Sequence, residues 1–217
     1  MGLESLTMVR HGESTGNAAL AQAIQDGAEV FDKGGRDADV PLSERGKIQA
    51  GLVGAWLMRR PERPTSVLCS PYVRARETAG IALQSILVPE SRLDERLRDR
   101  ENGVLSGLTA RGIARRYPVE RQERERLGRF YYRPPGGESW TDVALRLRSL
   151  LPELSGHVLV FAHDIVVVMT RYILEELDER AILEIESNQL ANASISRWER
   201  TDSGLRRIAY NDTSHLE

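Results

Sequence analysis

The stretch Leu6-Thr7-Met8-Val9-Arg10-His11-Gly12-Glu13-Ser14 reads as a short buried strand that ends by exposing an arginine, a histidine and a glycine together. That ending suits covalent phosphoryl chemistry. An imidazole can be the nucleophile, a guanidinium can hold phosphate oxygens, and a glycine lets the backbone pass close to a ligand. Three residues recur by chance, so the weight of this reading rests on what the remaining chain supplies.

Outward from that stretch, strand and helix signals alternate. Asn17 to Asp26 predicts a helix and Gly27 to Val40 a polar, glycine-containing loop. Pro41-Leu42-Ser43 leads into a helix from Glu44 to about Arg60, with Ser43 as its N-cap and Leu52, Val53, Trp56 and Leu57 on one apolar face. Val67-Leu68-Cys69 predicts a second strand, Val73 to Leu87 a helix, and Leu87-Val88 a short strand. Gly103 to Gly137 is rich in Arg and Glu, poor in aliphatics and broken by Pro118, Pro134 and Pro135, which predicts a partly helical excursion from the core. Ser139 and Asp142 form a capping pair for a helix through Leu151, His157 to Ala162 is the third clear strand, and helices follow over Asp164 to Leu177 and Asp178 to Ile185. Ser194 to Arg200 and Leu205 to Tyr210, split by the turn Thr201-Asp202-Ser203-Gly204, predict a terminal hairpin. The alternation argues for an α/β sandwich with a mostly parallel sheet, where ligands bind at the carboxyl ends of strands. His11, Ser70 and His163 each directly follow an apolar strand.

Composition narrows the class. The 217 residues are 41% hydrophobic and 29% charged, with a net charge of −2, so nothing global points to nucleic acid or membrane. Among the 30 basic residues only Lys33 and Lys47 are lysines. Cys69 is the single cysteine, which excludes an internal disulfide, and its apolar run predicts a buried strand position. No basic flank precedes a long apolar stretch near residue 1, and Val158 to Phe161 is too short to span a membrane. A cytoplasmic protein, monomer or homodimer, is expected.

Seven landmarks then occur in a familiar order: Arg10-His11-Gly12 with Glu13, Ser14 and Asn17; Pro41-Leu42-Ser43-Glu44-Arg45-Gly46; Ser70-Pro71-Tyr72-Val73-Arg74-Ala75-Arg76-Glu77-Thr78-Ala79; Leu97-Arg98-Asp99 ahead of Gly103 and Gly107; Gly136-Gly137-Glu138-Ser139; Val158 to His163; and Asn211-Asp212-Thr213-Ser214-His215-Leu216. Together they resemble the histidine phosphatase superfamily, also called phosphoglycerate mutase-like. The resemblance implies one domain over 1–217, a three-layer α/β/α sandwich with a mostly parallel central sheet and a C-terminal antiparallel hairpin, and a 103–137 excursion covering the active site.

The resemblance also implies roles. His11 attacks phosphorus and becomes a phosphohistidine. Arg10, Arg74 and His163 surround the phosphoryl oxygens, and Asn17 adds an amide donor. Asp99 protonates the leaving oxygen and then deprotonates water. The family usually carries Glu at that position; Asp99 keeps the family's spacing from Gly103 and Gly107, with Glu101 as the competing acid. Glu13 and Ser14 either contact substrate or order their loop. Asp164 replaces the family's usual Gly and either contacts substrate, orients His163, or serves as a first-turn acid of the next helix. Arg115, Arg116, Arg129 and Arg133 either bind a second acidic group of the substrate or pair with glutamates on a solvated helix. His157 and His215 read as structural. No metal and no cofactor are expected, because arginines and histidine supply the positive charge.

Asn102 and Ile165 depart from the glycolytic mutase pattern. The expectation is therefore a metal-independent phosphatase of a small, anionic phosphorylated metabolite, with a phosphomutase and a non-catalytic phospho-ligand-binding protein as the alternatives.

Overall fold

The computed structural model describes residues 2–84, 86–186 and 190–217. In chain order it contains strand β1 (Leu3–Arg10), helices α1 (Thr15–Gln25) and α2 (Glu44–Met58), strand β2 (Ser66–Cys69), helix α3 (Val73–Leu83) and strand β3 (Arg92–Leu93). Helices α4 (Ala110–Arg116), α5 (Pro118–Tyr131) and α6 (Trp140–Leu150), strand β4 (Gly156–Ala162), helices α7 (Asp164–Leu174) and α8 (Glu179–Glu186), and strands β5 (Ile195–Thr201) and β6 (Gly204–Asp212) complete it.

The strands form one sheet in the order β3-β2-β4-β1-β5-β6. The first four run parallel, and β5 and β6 are antiparallel. Strand β4 shows why the sheet sits in the middle. Its run Val158-Leu159-Val160-Phe161-Ala162 is apolar at every position, and successive side chains leave opposite faces. Val158, Val160 and Ala162 join Leu6, Met8, Val143, Leu147, Val166 and Met169 under α6 and α7. Leu159 and Phe161 join Val9, Val53, Val67, Cys69 and Ala79 under α2 and α3. Two cores, one on each face, make the three-layer sandwich.

Helix starts follow local chemistry. Ser14 opens α1 with a full capping box: its Oγ accepts from the Asn17 amide at 3.1 Å, and Asn17 Oδ1 accepts from the Ser14 amide at 3.1 Å. That puts the helix start two residues before the predicted one. Ser43 caps α2, and the Ser139–Asp142 pair caps α6 as its spacing predicts. The excursion folds as α4 and α5 flanked by loops.

Two expectations are corrected. Leu87-Val88 form no strand; the edge strand is Arg92–Leu93, paired with Leu68 and Cys69. The aliphatic signal misled because this edge is two residues long and exposed, so it carries no hydrophobic signature, while Pro89 restricts the residue before it. The helices predicted to reach Leu87 and Leu177 stop at Leu83 and Leu174. Ser85, inside the first of these, lies outside the described residues. Among the described residues no helix is long and apolar enough to cross a membrane.

Candidate active site

Parallel register brings the strand ends together. Arg10 is level with Ala162, and Cys69 with Phe161, so His11, His163 and Ser70 emerge side by side at the carboxyl edge. The His11 amide donates to the Ala162 carbonyl at 2.9 Å, and the ring centroids of His11 and His163 lie 5.2 Å apart, edge to face. His11 lines a cavity of about 490 Å³ together with Arg10, Arg74, Asp99, Asn17 and Asp164, and His163 is fully buried behind it.

Close backbone approach fixes the loop that carries His11. A Cβ on Gly12 would meet the Gly46 carbonyl oxygen at 2.5 Å, and one on Gly46 would meet the Glu13 carbonyl oxygen at 2.0 Å. The start of α2 is therefore pressed against the turn after β1, and only glycine fits at either contact. The Gly12 amide donates to Thr78 Oγ1 at 3.0 Å, tying the same turn to α3.

His11 Nδ1 lies 2.7 Å from the Gly12 carbonyl, which only the protonated nitrogen can satisfy; Nε2 is left with the lone pair. Burial, then the charges of His163, Arg74 and Arg10, hold its pKa well below the usual histidine value, against the opposing pull of the Gly12 carbonyl. His163 is fully buried and is held low in the same way by burial, Arg74, Arg10 and Arg146. Its Nε2 is 2.8 Å from Ser70 Oγ, and its Nδ1 lies 3.3 Å from Asp99 Oδ2 without hydrogen-bond alignment.

Both arginines are buried against carboxylates. Arg74 donates through Nη2 to Asp99 Oδ2 at 2.8 Å and Asp37 Oδ2 at 3.0 Å, and through Nη1 to the Asp37 carbonyl at 2.6 Å. Arg10 donates through Nη1 to the Leu190 carbonyl, and its Nη2 is 3.6 Å from Asp164 Oδ2. Its Nε is buried without a partner, a donor for which the surrounding protein offers no acceptor.

The remaining candidates separate cleanly. Asn17 lines the cavity; its Oδ1 accepts from Ser14 and from Asn192 Nδ2 at 3.1 Å, which leaves the amide nitrogen for a ligand. Ser14 also lines the cavity, but its hydroxyl is spent on the cap of α1. Glu13 turns away from the cavity and orders its loop, accepting from Ser43 Oγ at 2.7 Å and from Arg45 at 3.4 Å. Asp164 takes one of its foreseen roles, the first-turn acid of α7, where its Oδ1 accepts from the Ile165 amide, and its Oδ2 faces Arg10.

Glu101 does not reach the cavity. It accepts from the Tyr72 hydroxyl at 2.7 Å, and the Tyr72 ring packs edge to face on His163 at 5.2 Å and under the Arg74 guanidinium at 4.9 Å. Arg115 and Arg116 do not reach it either. Both are more than half exposed and pair with Glu29 at 2.8 and 3.1 Å. Arg133 pairs with Asp142, while Arg129 lines the cavity.

Lys33, Asp37 and Arg100 line the cavity without having been singled out in the sequence. Lys33 and Asp37 lie in the irregular 27–40 loop, where no periodicity marks a position; Lys33 carried one signal, as one of two lysines among 30 basic residues. Glu138, in the Gly-Gly-Glu-Ser landmark, holds the segment carrying Asp99 by accepting from Arg98 at 2.7 Å, Arg146 at 3.2 Å and the Glu101 amide at 3.2 Å. Among the described residues no group of three or more His, Cys, Asp or Glu side chains is placed to hold a metal ion.

Comparison with known proteins agrees with this geometry. Residues 6–213 match the histidine phosphatase superfamily (branch 1). The chain is 32% identical over 196 residues to 2,3-bisphosphoglycerate-dependent phosphoglycerate mutase 2 of Gloeobacter violaceus, covering 85% of this chain and 80% of that one. It is 26% identical over 217 residues to the metal-independent phosphoserine phosphatase of Arabidopsis thaliana, covering 97% and 82%. It is also 30% identical over 185 residues to 6-phosphofructo-2-kinase/fructose-2,6-bisphosphatase of Caenorhabditis elegans; the match covers 83% of this chain and spans 35% of that protein's length. The structure of mycobacterial glucosyl-3-phosphoglycerate phosphatase with VO3 superposes with a TM-score of 0.75 at 26% identity, covering 97% of this chain and all of the other. With its strand-end histidines, its two buried arginines and these similarities, the chain belongs to the histidine phosphatase superfamily.

Proposed function

We propose that this protein is a phosphomonoesterase that moves the phosphoryl group of a small phosphorylated metabolite to His11 and then to water, with no metal ion. The observation that carries this reading is the state of His11. Its Nδ1 lies 2.7 Å from the Gly12 carbonyl, burial and the neighbouring charges favour its neutral form, and it lines the cavity together with Arg10 and Arg74. A neutral imidazole with its lone pair on Nε2 is ready to attack phosphorus.

In the first step Nε2 forms the N–P bond, the P–O bond to the leaving group breaks, and the leaving oxygen takes a proton from the Asp99 carboxyl. In the second, water attacks phosphorus, Asp99 takes the water's proton, and the N–P bond breaks to release inorganic phosphate and neutral His11. Arg10 Nε, Arg74 and the Asn17 amide serve the equatorial oxygens, where fixed donors count most as charge develops. His163 Nδ1 joins them when Ser70 donates its hydroxyl proton to Nε2. Similarity to a phosphoserine phosphatase and a glucosyl-3-phosphoglycerate phosphatase supports hydrolysis. Similarity to a mutase keeps isomerisation as the rival. Ile165, apolar and lining the cavity, takes the place of the Asn found there in the mutase branch.

The test is phosphate release in EDTA across sugar phosphates, phosphoglycerates, phosphoamino acids and an aryl phosphate, with His11→Ala alongside. Release by the wild type and none by the variant, which also loses an acid-labile phosphoenzyme, is the expected outcome. An isomerised product with little free phosphate identifies a mutase. Activity lost in EDTA overturns the metal-free mechanism, and normal turnover by His11→Ala overturns the nucleophile.

A further inference from the structure

The cavity has two ends of different character. A side chamber of about 180 Å³ adjoins it, and the two spaces share Leu20, Phe31, Lys33, Asp37, Arg100 and Asn102 in their walls. Lys33 stands at this junction. Its side chain is only 18% exposed, and its one hydrogen-bond partner is neutral, Ser106 Oγ at 2.5 Å. The nearest carboxylate oxygen, Asp37 Oδ1, is 3.6 Å away, and Asp37 already serves Arg74 through Oδ2 and its carbonyl. One carboxylate is thus shared by two cations.

An ammonium is a compact charge with three donors, and a single bond to a neutral hydroxyl leaves the charge and two donors for an anionic partner. Of the four arginines the sequence offered for a second acidic group, Arg115 and Arg116 are turned outward onto Glu29 and Arg133 pairs with Asp142, while Arg129 lines the main cavity away from the side chamber. Lys33 is a lysine in a chain that otherwise uses arginine 28 times out of 30. It also ties the 27–40 loop to Ser106, across the cavity wall.

We infer that Lys33 is a specificity-determining residue that binds a second anionic group of the substrate, a carboxylate or a further phosphate, at the mouth of the side chamber. This rests on the reading of the cavity as a phosphomonoester site and names the substrate class that site prefers: phosphomonoesters carrying another acidic group within the same small molecule. The ammonium keeps its Ser106 bond and turns its remaining donors to the incoming oxygens.

Two matched pairs test it. 3-Phosphoglycerate and glycerol 3-phosphate differ by a carboxylate against a hydroxymethyl; fructose 1,6-bisphosphate and fructose 6-phosphate differ by a second phosphate. Calorimetric Kd values are measured on full-length His11→Ala, with and without Lys33→Met and Lys33→Arg. Turnover of an aryl phosphate is measured on the wild type and on Lys33→Met with His11 intact. The more anionic member of at least one pair binds about 10–100-fold tighter, as a charge-assisted hydrogen bond supplies. Lys33→Met removes that preference, weakening the more anionic member by at least about tenfold more than the less anionic member or aryl turnover, and Lys33→Arg keeps part of it. The carboxylate pair and the bisphosphate pair distinguish the two anions. No preference in the parent protein, or equal loss of both members of a pair in Lys33→Met, overturns the assignment. Absence of aryl phosphate turnover by the wild type counts against the phosphomonoesterase reading instead, and the binding pairs still decide Lys33.

Discussion

Asp99 and Glu101, the two carboxylates proposed for the acid's place, differ in what each one touches. Asp99 lines the cavity and contacts Arg74 and His163, whereas Glu101 holds the Tyr72 hydroxyl that sits behind both of them. Asp99→Asn is therefore expected to slow an alkyl phosphate by about 10²–10⁴-fold and an aryl phosphate much less, since a good leaving group needs little protonation. Glu101→Gln keeps an acceptor for Tyr72 and is expected to lower both substrates' kcat/KM alike and by less than about tenfold. A comparison of the two substrates on the two variants checks this, and equal losses in Asp99→Asn would transfer the acid role away from Asp99. At this scale much was legible in advance. His11, Arg10, Arg74, His163 and Asn17 follow strands or open helices at spacings a sequence displays. Lys33 and Asp37 were not legible, because a position in an irregular loop acquires its role only from what lies across the cavity. Arg115 and Arg116 failed as site residues for the same reason: their charge was plain, but their direction depends on where Glu29 lies.

Some elements meet at the site through backbone as well as side chains. The start of α2 touches the turn after β1 so closely that a Cβ on Gly46 would overlap the Glu13 carbonyl, whereas one on Gly51, on the same helix, meets nothing within 4 Å. Gly46→Ala must push the helix or the His11 turn aside; it is expected to destabilise by about 1–3 kcal/mol and to lower kcat/KM more than tenfold. Gly51→Ala is expected to stabilise by up to about 1 kcal/mol through helix propensity, with activity unchanged. Thermal unfolding and aryl phosphate kinetics on both variants check the pair, and equal behaviour would mean that the contact at Gly46 is soft. The existence and type of most elements could be read from periodicity and caps, as with Ser43 and the Ser139–Asp142 pair. The edge strand Arg92–Leu93 could not, since its two residues are exposed and gain their pairing only from β2.

For the molecule as a whole, the same burial that activates the site makes stability depend on acidity. His11 and His163 titrate near 6.5 in the unfolded chain and well below that when folded, so in mild acid the unfolded state binds more protons. Stability from these two groups is complete above about pH 6.5 and is lost as the pH falls below it, at about 1.4 kcal/mol per pH unit for each histidine until its folded pKa is reached. Urea midpoints between pH 7.5 and 5 are expected to fall more steeply for the wild type than for His163→Gln; parallel curves would mean that His163 is not kept neutral by the fold. The residue order alone determined the α/β class, the family, and the histidines and arginines that meet at the candidate site, because periodicity, caps and strand-end motifs are local and are written contiguously. Which acid faces the cavity, which cation guards its second end, and which arginines turn away were decided only by tertiary structure. Those outcomes depend on distances between segments far apart in the chain, such as Lys33 to Ser106 and Arg74 to Asp37, and on the competition of neighbouring charges for each side chain, which no local pattern encodes.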